Sequence, residues 1–378
     1  MKMPLVMSPG PTMVSEQVRR AMSSTLINPD LDPEFFEFYR NITEKIQKLL
    51  KTKNQALILS GEGILGLEAA CASLIEPGDK VLCIDNGLYG KGFGDFASMY
   101  GGEVTYFTCD YRRKADAEKL SKFLKENKDF KVATLVHCET PSGLTNPVDK
   151  LCPLLKEHGI ITVVDSVSGM AGEYLEVDNW KVDIALGGSQ KCLSAPPGLC
   201  FMSISEAAWS KILNRKVPVA GFYVNLGVWK NWYQEKYFPY TQPVNDLYAL
   251  DAALDIAIAE GEALFIKHSE IAEAVRRSLV LSGLELYPVN GFSNTVTAVM
   301  VPEPASYQQI FDKMLQEHNI LIAGSYDILK DKVFRIAHMG ESCSYDKIFI
   351  TLKALDSTLR SLGVKLKVRL HEEFAKLI

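Results

Sequence analysis

Between about residues 55 and 205 the chain alternates short, nearly continuous apolar runs with stretches of helical period. The runs are ALILS (56–60), KVLCID (80–85), VTYFT (104–108), VATLVHC (132–138), IITVVD (160–165), DIALGG (183–188) and LCFMS (199–203). Helical patterns lie between them, as in LGLEAACASLI (65–75), DAEKLSKFLKEN (116–127) and KLCPLLKEHG (150–159). Strands with no polar face must be covered on both sides. Interleaved with helices, they predict a mainly parallel sheet of seven strands, with room for one antiparallel member. EPGDK (76–80) and PVDK (147–150) read as loops. One long helical pattern covers about 245–283. Beyond it the expected order is strand LELYP, strand TVTAVMVP, helix YQQIFDKMLQEHN, strands ILIAG and VFRIAHM, and helix DKIFITLKALDSTLRSLG. The fold class is therefore α/β, with a large domain over 21–255 and a smaller α+β domain over 256–378.

Composition narrows the function. Hydrophobic residues make up 47% of 378 and charged residues 23%, enough apolar surface for a sizeable core. A net charge of -5 and the lack of a basic stripe argue against nucleic acid as a partner. No apolar stretch reaches the roughly 18 residues of a membrane span, and MKMPLVMSPGPT does not read as a secretory signal. Eight scattered cysteines without a C-x-x-C pair and six dispersed histidines suggest no metal and a reducing, cytoplasmic setting.

Two constellations carry chemistry. Gly61, Gly63 and Gly66 form G-x-G-x-x-G after a strand and at a helix start, and Asp85 ends the next strand. That spacing is a nicotinamide-cofactor fingerprint. Against it, Glu62 sits inside the turn where phosphates would lie, and some sixty residues precede the motif. Read more generally, the turn is a helix N-terminus suited to an anion or polar head group. The second constellation is an acid, Asp165, ending IITVVD, and Lys191 in the turn-rich loop GGSQKCLSAPPG after the next strand. Both belong at the carboxyl edge of a parallel sheet. Pyridoxal-type chemistry needs this pair: a lysine for the Schiff base, and an acid that keeps the pyridine nitrogen protonated. Most lysines are solvated surface residues; Lys191, flanked by small and apolar residues, does not fit that reading.

With SPGPTMVSEQVRRAM, EPGDKVL, NGLYGKGF, Asp165, SQK and FRIAHMG in this order, the chain resembles the class V aminotransferases of the fold type I pyridoxal-phosphate superfamily. The resemblance covers nearly the whole length. It implies that residues 1–20 pack with the small domain and that Lys191 is the aldimine lysine, with Asp165 partnering the ring nitrogen. Tyr89 would stack on the ring, and Thr140 would bond near its hydroxyl. Gly63, Val167 and Gln190 would line the cofactor site. Arg335 would clamp the substrate carboxylate as a fork, with Pro11 and Glu62 also facing substrate. Thr241 would come from the neighbouring subunit, implying a homodimer or higher homo-oligomer with shared sites.

The phosphate cup departs from the general family pattern. Its turn reads GEGILG, and Phe238 stands where a tyrosine is usual. At about 4 Å and an effective dielectric near 20, a carboxylate–phosphate pair costs roughly 4 kcal/mol, about a thousandfold in affinity. The same departures, with LGLEAA, YGKGFG, KCLSAPPG and HMG, resemble the pyridoxamine–pyruvate aminotransferase subfamily, whose substrate is the unphosphorylated vitamer. That subfamily has a second arginine shortly before the one matching Arg335; here Ser325 or Tyr326 holds the place. The resemblance thus implies transamination between pyridoxamine and pyruvate through a Lys191 aldimine, with pyridoxal or pyridoxamine as bound substrate. The alternatives are a pyridoxal-phosphate-dependent alanine– or serine–glyoxylate aminotransferase, a nicotinamide oxidoreductase and a non-enzymatic vitamin B6 sensor.

Overall fold

The apolar runs pair into one seven-stranded sheet in a computed structural model that describes residues 3–378. In chain order the strands are β1 (Gln55–Ser60), β2 (Lys80–Asp85), β3 (Glu103–Thr108) and β4 (Val132–Val136). β5 (Ile161–Asp165), β6 (Ile184–Gly188) and β7 (Leu199–Ile204) follow. Their order across the sheet is β1-β7-β6-β5-β4-β2-β3, and only β7 runs antiparallel to its neighbours. Every residue of β4, β6 and β7 is buried, which is why those runs carry no alternation. β3, at the edge, is buried only at Phe107, and its polar residues Glu103, Thr105 and Thr108 are exposed or half-buried.

Helices cover both faces. α1 (Pro33–Leu49), α2 (Gly63–Leu74) and α3 (Leu88–Met99) are the ones that frame the site. Asp32 caps α1 by accepting the Glu34 N–H at 3.0 Å, and Phe35, Tyr39, Ile42 and Ile46 are buried along one stripe. PVDK is not all loop: a helix begins at Val148. The long helical pattern is two helices, α4 (Val244–Glu260) and α5 (Glu262–Leu281). Gly261 between them has φ 56° and ψ -132°, which a residue with a Cβ rarely adopts.

Beyond α5, β8 (Val296–Met300), β9 (Ala323–Gly324) and β10 (Val333–Ala337) form an antiparallel sheet with β10 in the middle. LELYP contributes a single bridge, Leu286 to Val299, rather than a strand. ILIAG divides: Ala323–Gly324 joins this sheet, while Ile320–Leu321 pairs in parallel with Leu5–Val6. Ile310, Met314, Phe334, Ile336 and Leu352 form a core separate from that of the large sheet. All eight cysteines are free, and seven are buried. Among the described residues no helix is long and apolar enough to cross a membrane.

Candidate functional site

The strand order gathers the carboxyl ends of β5 and β6 beside the turn that follows β1. Asp165 is the last residue of β5, paired with Leu186 of β6. Lys191 lies in the loop after β6, and β7 returns from that loop to set Leu199 opposite Ser60. Glu62 and Gly63 therefore stand at the same edge. A cavity of about 170 Å³ is lined by Glu62, Gly63, Tyr89, Asp165, Val167, Gln190 and Lys191. Seven sequence-derived site residues thus meet in one place. Gly63 is needed for this packing, since a Cβ there would lie 2.6 Å from a Val167 methyl carbon. A second cavity, about 270 Å³, opens behind the loop at Cys192–Ser194, but its lysines are already paired, Lys267 with Glu260 and Lys347 with Glu341.

Lys191 and Arg335 spend their hydrogen bonds on carbonyl oxygens, and neither makes an ion pair among the described residues. Lys191 Nζ donates to the Pro9 carbonyl at 2.7 Å. Burial and then the Arg335 charge push its pKa below the usual lysine value, while Asp165 opposes them. Asp165 Oδ1 accepts the Val167 N–H at 2.8 Å, and burial raises the carboxyl to about 6. Oδ2 has no protein donor among the described residues. The Gln190 side-chain oxygen Oε1 is buried without a partner among the described residues. Glu62 is the N-cap of α2: its Oε1 accepts the Ile64 N–H at 3.0 Å.

Arg335, on β10, is 2% exposed. Its Nε donates to the Gly324 carbonyl at 2.6 Å and its Nη1 to the Thr140 carbonyl at 3.3 Å. The Tyr326 ring lies over the guanidinium, its centroid 5.0 Å from Cζ. Tyr326 thus covers the arginine where the resemblance expects a second cation, and Ser325 turns away to donate to the Pro141 carbonyl at 2.8 Å. The Thr140 hydroxyl bonds to that of Ser168, which lines the cavity.

Three sequence-derived positions lie elsewhere. Thr241 is exposed and donates to Asp30 at 3.1 Å, away from this chain's cavity. Pro11 is exposed; its neighbours Pro9 and Gly10 make the contacts with Lys191. Phe238 belongs to an aromatic core, stacked on Phe36 at 4.7 Å. The nicotinamide fingerprint does not assemble: five strand spacings, about 24 Å, separate β1 from β2, and Asp85 accepts from Tyr111 (2.5 Å) and Thr108 (3.1 Å) instead. Sequence reasoning missed Glu139, a fully buried acid between the cavity residues Cys138 and the Thr140 turn. Its one signal was a carboxylate closing an otherwise apolar run.

The aminotransferase class-V family model matches residues 7–327. The chain is 33% identical over 368 residues to the pyridoxamine–pyruvate transaminase of Mesorhizobium japonicum, covering 96% of this chain and 93% of that one. Among solved structures, ureidoglycine–glyoxylate aminotransferase from Bacillus subtilis superposes with a TM-score of 0.96 at 28% identity, covering 100% of this chain and 98% of that one. Pyridoxamine–pyruvate aminotransferase from Mesorhizobium loti gives 0.95 at 32% identity, covering 100% and 97%.

Proposed function

The chain belongs to the class V aminotransferase family and is a transaminase; on that premise we propose that it moves an amino group between pyridoxamine and pyruvate, giving pyridoxal and L-alanine. The observation that carries this reading is the cap at Glu62. A helix N-terminus normally welcomes a phosphate through its free N–H groups and its dipole. Here the Glu62 carboxylate already accepts the Ile64 N–H and brings its own charge. A free hydroxymethyl group, which can donate one hydrogen bond to Glu62, suits that place better than a phosphate.

The residues fit a vitamin B6 ring. Asp165 Oδ2 is open to hold a ring N–H, Tyr89 offers an aromatic face, and the unpartnered side-chain Oε1 of Gln190 can take a donor. Bound there, the pyridine ring supplies an electron sink. Lys191, with its lowered pKa, can give up its proton and then carry protons at Nζ. Arg335 keeps part of its fork free for the oxo-acid carboxylate while two carbonyls hold the rest. Thr241 would serve the site of a second copy, in a homodimer of the cytoplasm. Exposed Leu26, Leu31, Phe222, Tyr223 and Tyr237 offer apolar surface in the two segments joined by the Thr241–Asp30 bond.

The experiment is incubation with pyridoxamine and pyruvate without any phosphorylated vitamer. Pyridoxal and alanine should accumulate together, and Glu62→Ser should shift binding toward the phosphorylated vitamer. A second reading, a phosphate-dependent glyoxylate-type aminotransferase, is favoured by Tyr326 standing over Arg335 where the resemblance expects a second arginine, and by the likeness to the Bacillus subtilis structure. It prevails if the purified protein holds stoichiometric pyridoxal phosphate through dialysis and supports alanine–glyoxylate exchange.

A further inference from the structure

Glu139 is a fully buried acid that makes no ion pair among the described residues. A carboxyl group, charged or protonated, is costly in an apolar interior unless hydrogen bonds replace its water. The donors it has are two backbone groups of the first turn of α3. The Tyr89 N–H donates to Oε2 at 3.2 Å and the Gly90 N–H to Oε1 at 2.5 Å. The N-cap of that helix is Gly87, which has no side chain to perform this role. A carboxylate some fifty residues away, at the end of the run that forms β4, therefore supplies the cap.

Gly87 is there for space and not for its backbone angle. Its φ of 163° is extended, but a Cβ would lie 2.6 Å from Glu139 Oε2. The Tyr89 side chain, by contrast, is 37% exposed, and its hydroxyl makes no hydrogen bond among the described residues. Its first-turn backbone is what fixes the ring's origin. One residue beyond Glu139, the Thr140 carbonyl accepts from Arg335. A single turn thus bonds both the backbone that carries Tyr89 and the carboxylate clamp Arg335.

We propose that Glu139 is a positioning residue: by capping α3 from the neighbouring strand's end it sets the Tyr89 ring against the vitamer. The proposal rests on the reading of Tyr89 as the stacking residue. A merely structural cap would weaken the fold without acting through Tyr89, and a double-mutant cycle separates the two cases.

The test is titration of the purified chain with pyridoxal and, separately, with pyridoxal phosphate. It reads the dissociation constant and the circular dichroism of the bound chromophore in wild type, Glu139→Gln, Tyr89→Ala and the double variant. Glu139→Gln should weaken binding about tenfold and change the dichroism. In the Tyr89→Ala background the same change should add less than about twofold. Gly87→Ala, which crowds the carboxylate from the other side, should reproduce the Glu139→Gln phenotype, and it carries the test if the latter does not fold. Wild-type binding by both Glu139→Gln and Gly87→Ala, or losses that multiply in the double variant, would overturn the positioning role and leave the proposed function standing. Failure of the wild-type chain to bind either vitamer would overturn both.

Discussion

Arg335 shows how much of one residue's chemistry its neighbours define. A guanidinium 2% exposed, bonded only to carbonyls and covered by an aromatic ring, is a buried cation awaiting an anion. Lysine keeps the charge but cannot hold Gly324, Thr140 and a carboxylate at once. We expect Arg335→Lys to lower kcat/KM for pyruvate about thirtyfold, near 2 kcal/mol of transition-state binding, with little change in pyridoxamine affinity. Steady-state kinetics with each substrate varied checks this; an equal loss for pyridoxamine would assign Arg335 to the fold or the ring. An arginine inside the apolar run VFRIAHM could be read from sequence. The Tyr326 stack could not, because it depends on where the 323–327 turn folds over β10.

At the scale of elements, the clamp on α3 predicts a pH dependence of stability. Burial, with the nearby Asp165 and Asp85 charges, raises the Glu139 carboxyl to about 8 against the two N–H donors that lower it. The fold keeps that proton up to about pH 8, whereas the unfolded chain releases it near the ordinary carboxylate value. Glu139 therefore stabilises most at low pH, and this stabilisation is lost as pH rises toward 8. Below about 6.5 the buried histidines act in the opposite sense. Burial lowers His137 and His268 to about 4 and His338 to about 3, so only the unfolded chain takes up their protons. Between pH 6.5 and 7.5 Glu139 alone costs about 1 kcal/mol, and the three histidines, still losing protons in the unfolded chain, return a similar amount. The Glu139 effect is therefore read as a difference between wild type and a variant that keeps the histidines. Urea unfolding of both proteins should show wild type losing about 1 kcal/mol relative to Glu139→Gln between pH 6.5 and 7.5; a difference that stays constant across that window would refute it. Elements themselves were legible where a run was long and uniform. The break at Gly261 and the loss of LELYP as a strand were not, because one asks for a rare backbone angle and the other for a partner strand.

For the whole molecule, the informative fact is that Thr241 does not line its own chain's cavity. If Thr241 completes a neighbour's site, sedimentation should give twice the 42.0 kDa chain mass. Dissociated and remixed Lys191→Ala and Thr241→Ala proteins should then recover activity that neither shows alone. Random pairing rebuilds about a quarter of all sites with both residues intact. A monomer, or a mixture no better than the sum of its parts, would remove Thr241 from the site.

Local pattern was enough for the strands, the glycine turn, the acid–lysine pair and the arginine, since each depends on a few adjacent side chains and their burial. Local pattern also offered Gly61–Gly66 two partners, Asp85 and the Asp165–Lys191 pair, with Glu62 in the turn and the roughly sixty residues before it weighing against the first. Strand order made the choice. β7 turned back between β1 and β6, carrying the glycine turn to Asp165 and Lys191 and leaving Asp85 across the sheet. Glu139 acquired its role in the same way, because β4 lies beside β2 and so meets the start of α3. Pairings of this kind join residues tens to more than a hundred positions apart. Their energy comes from burial and hydrogen bonds that exist only once the sheet has formed.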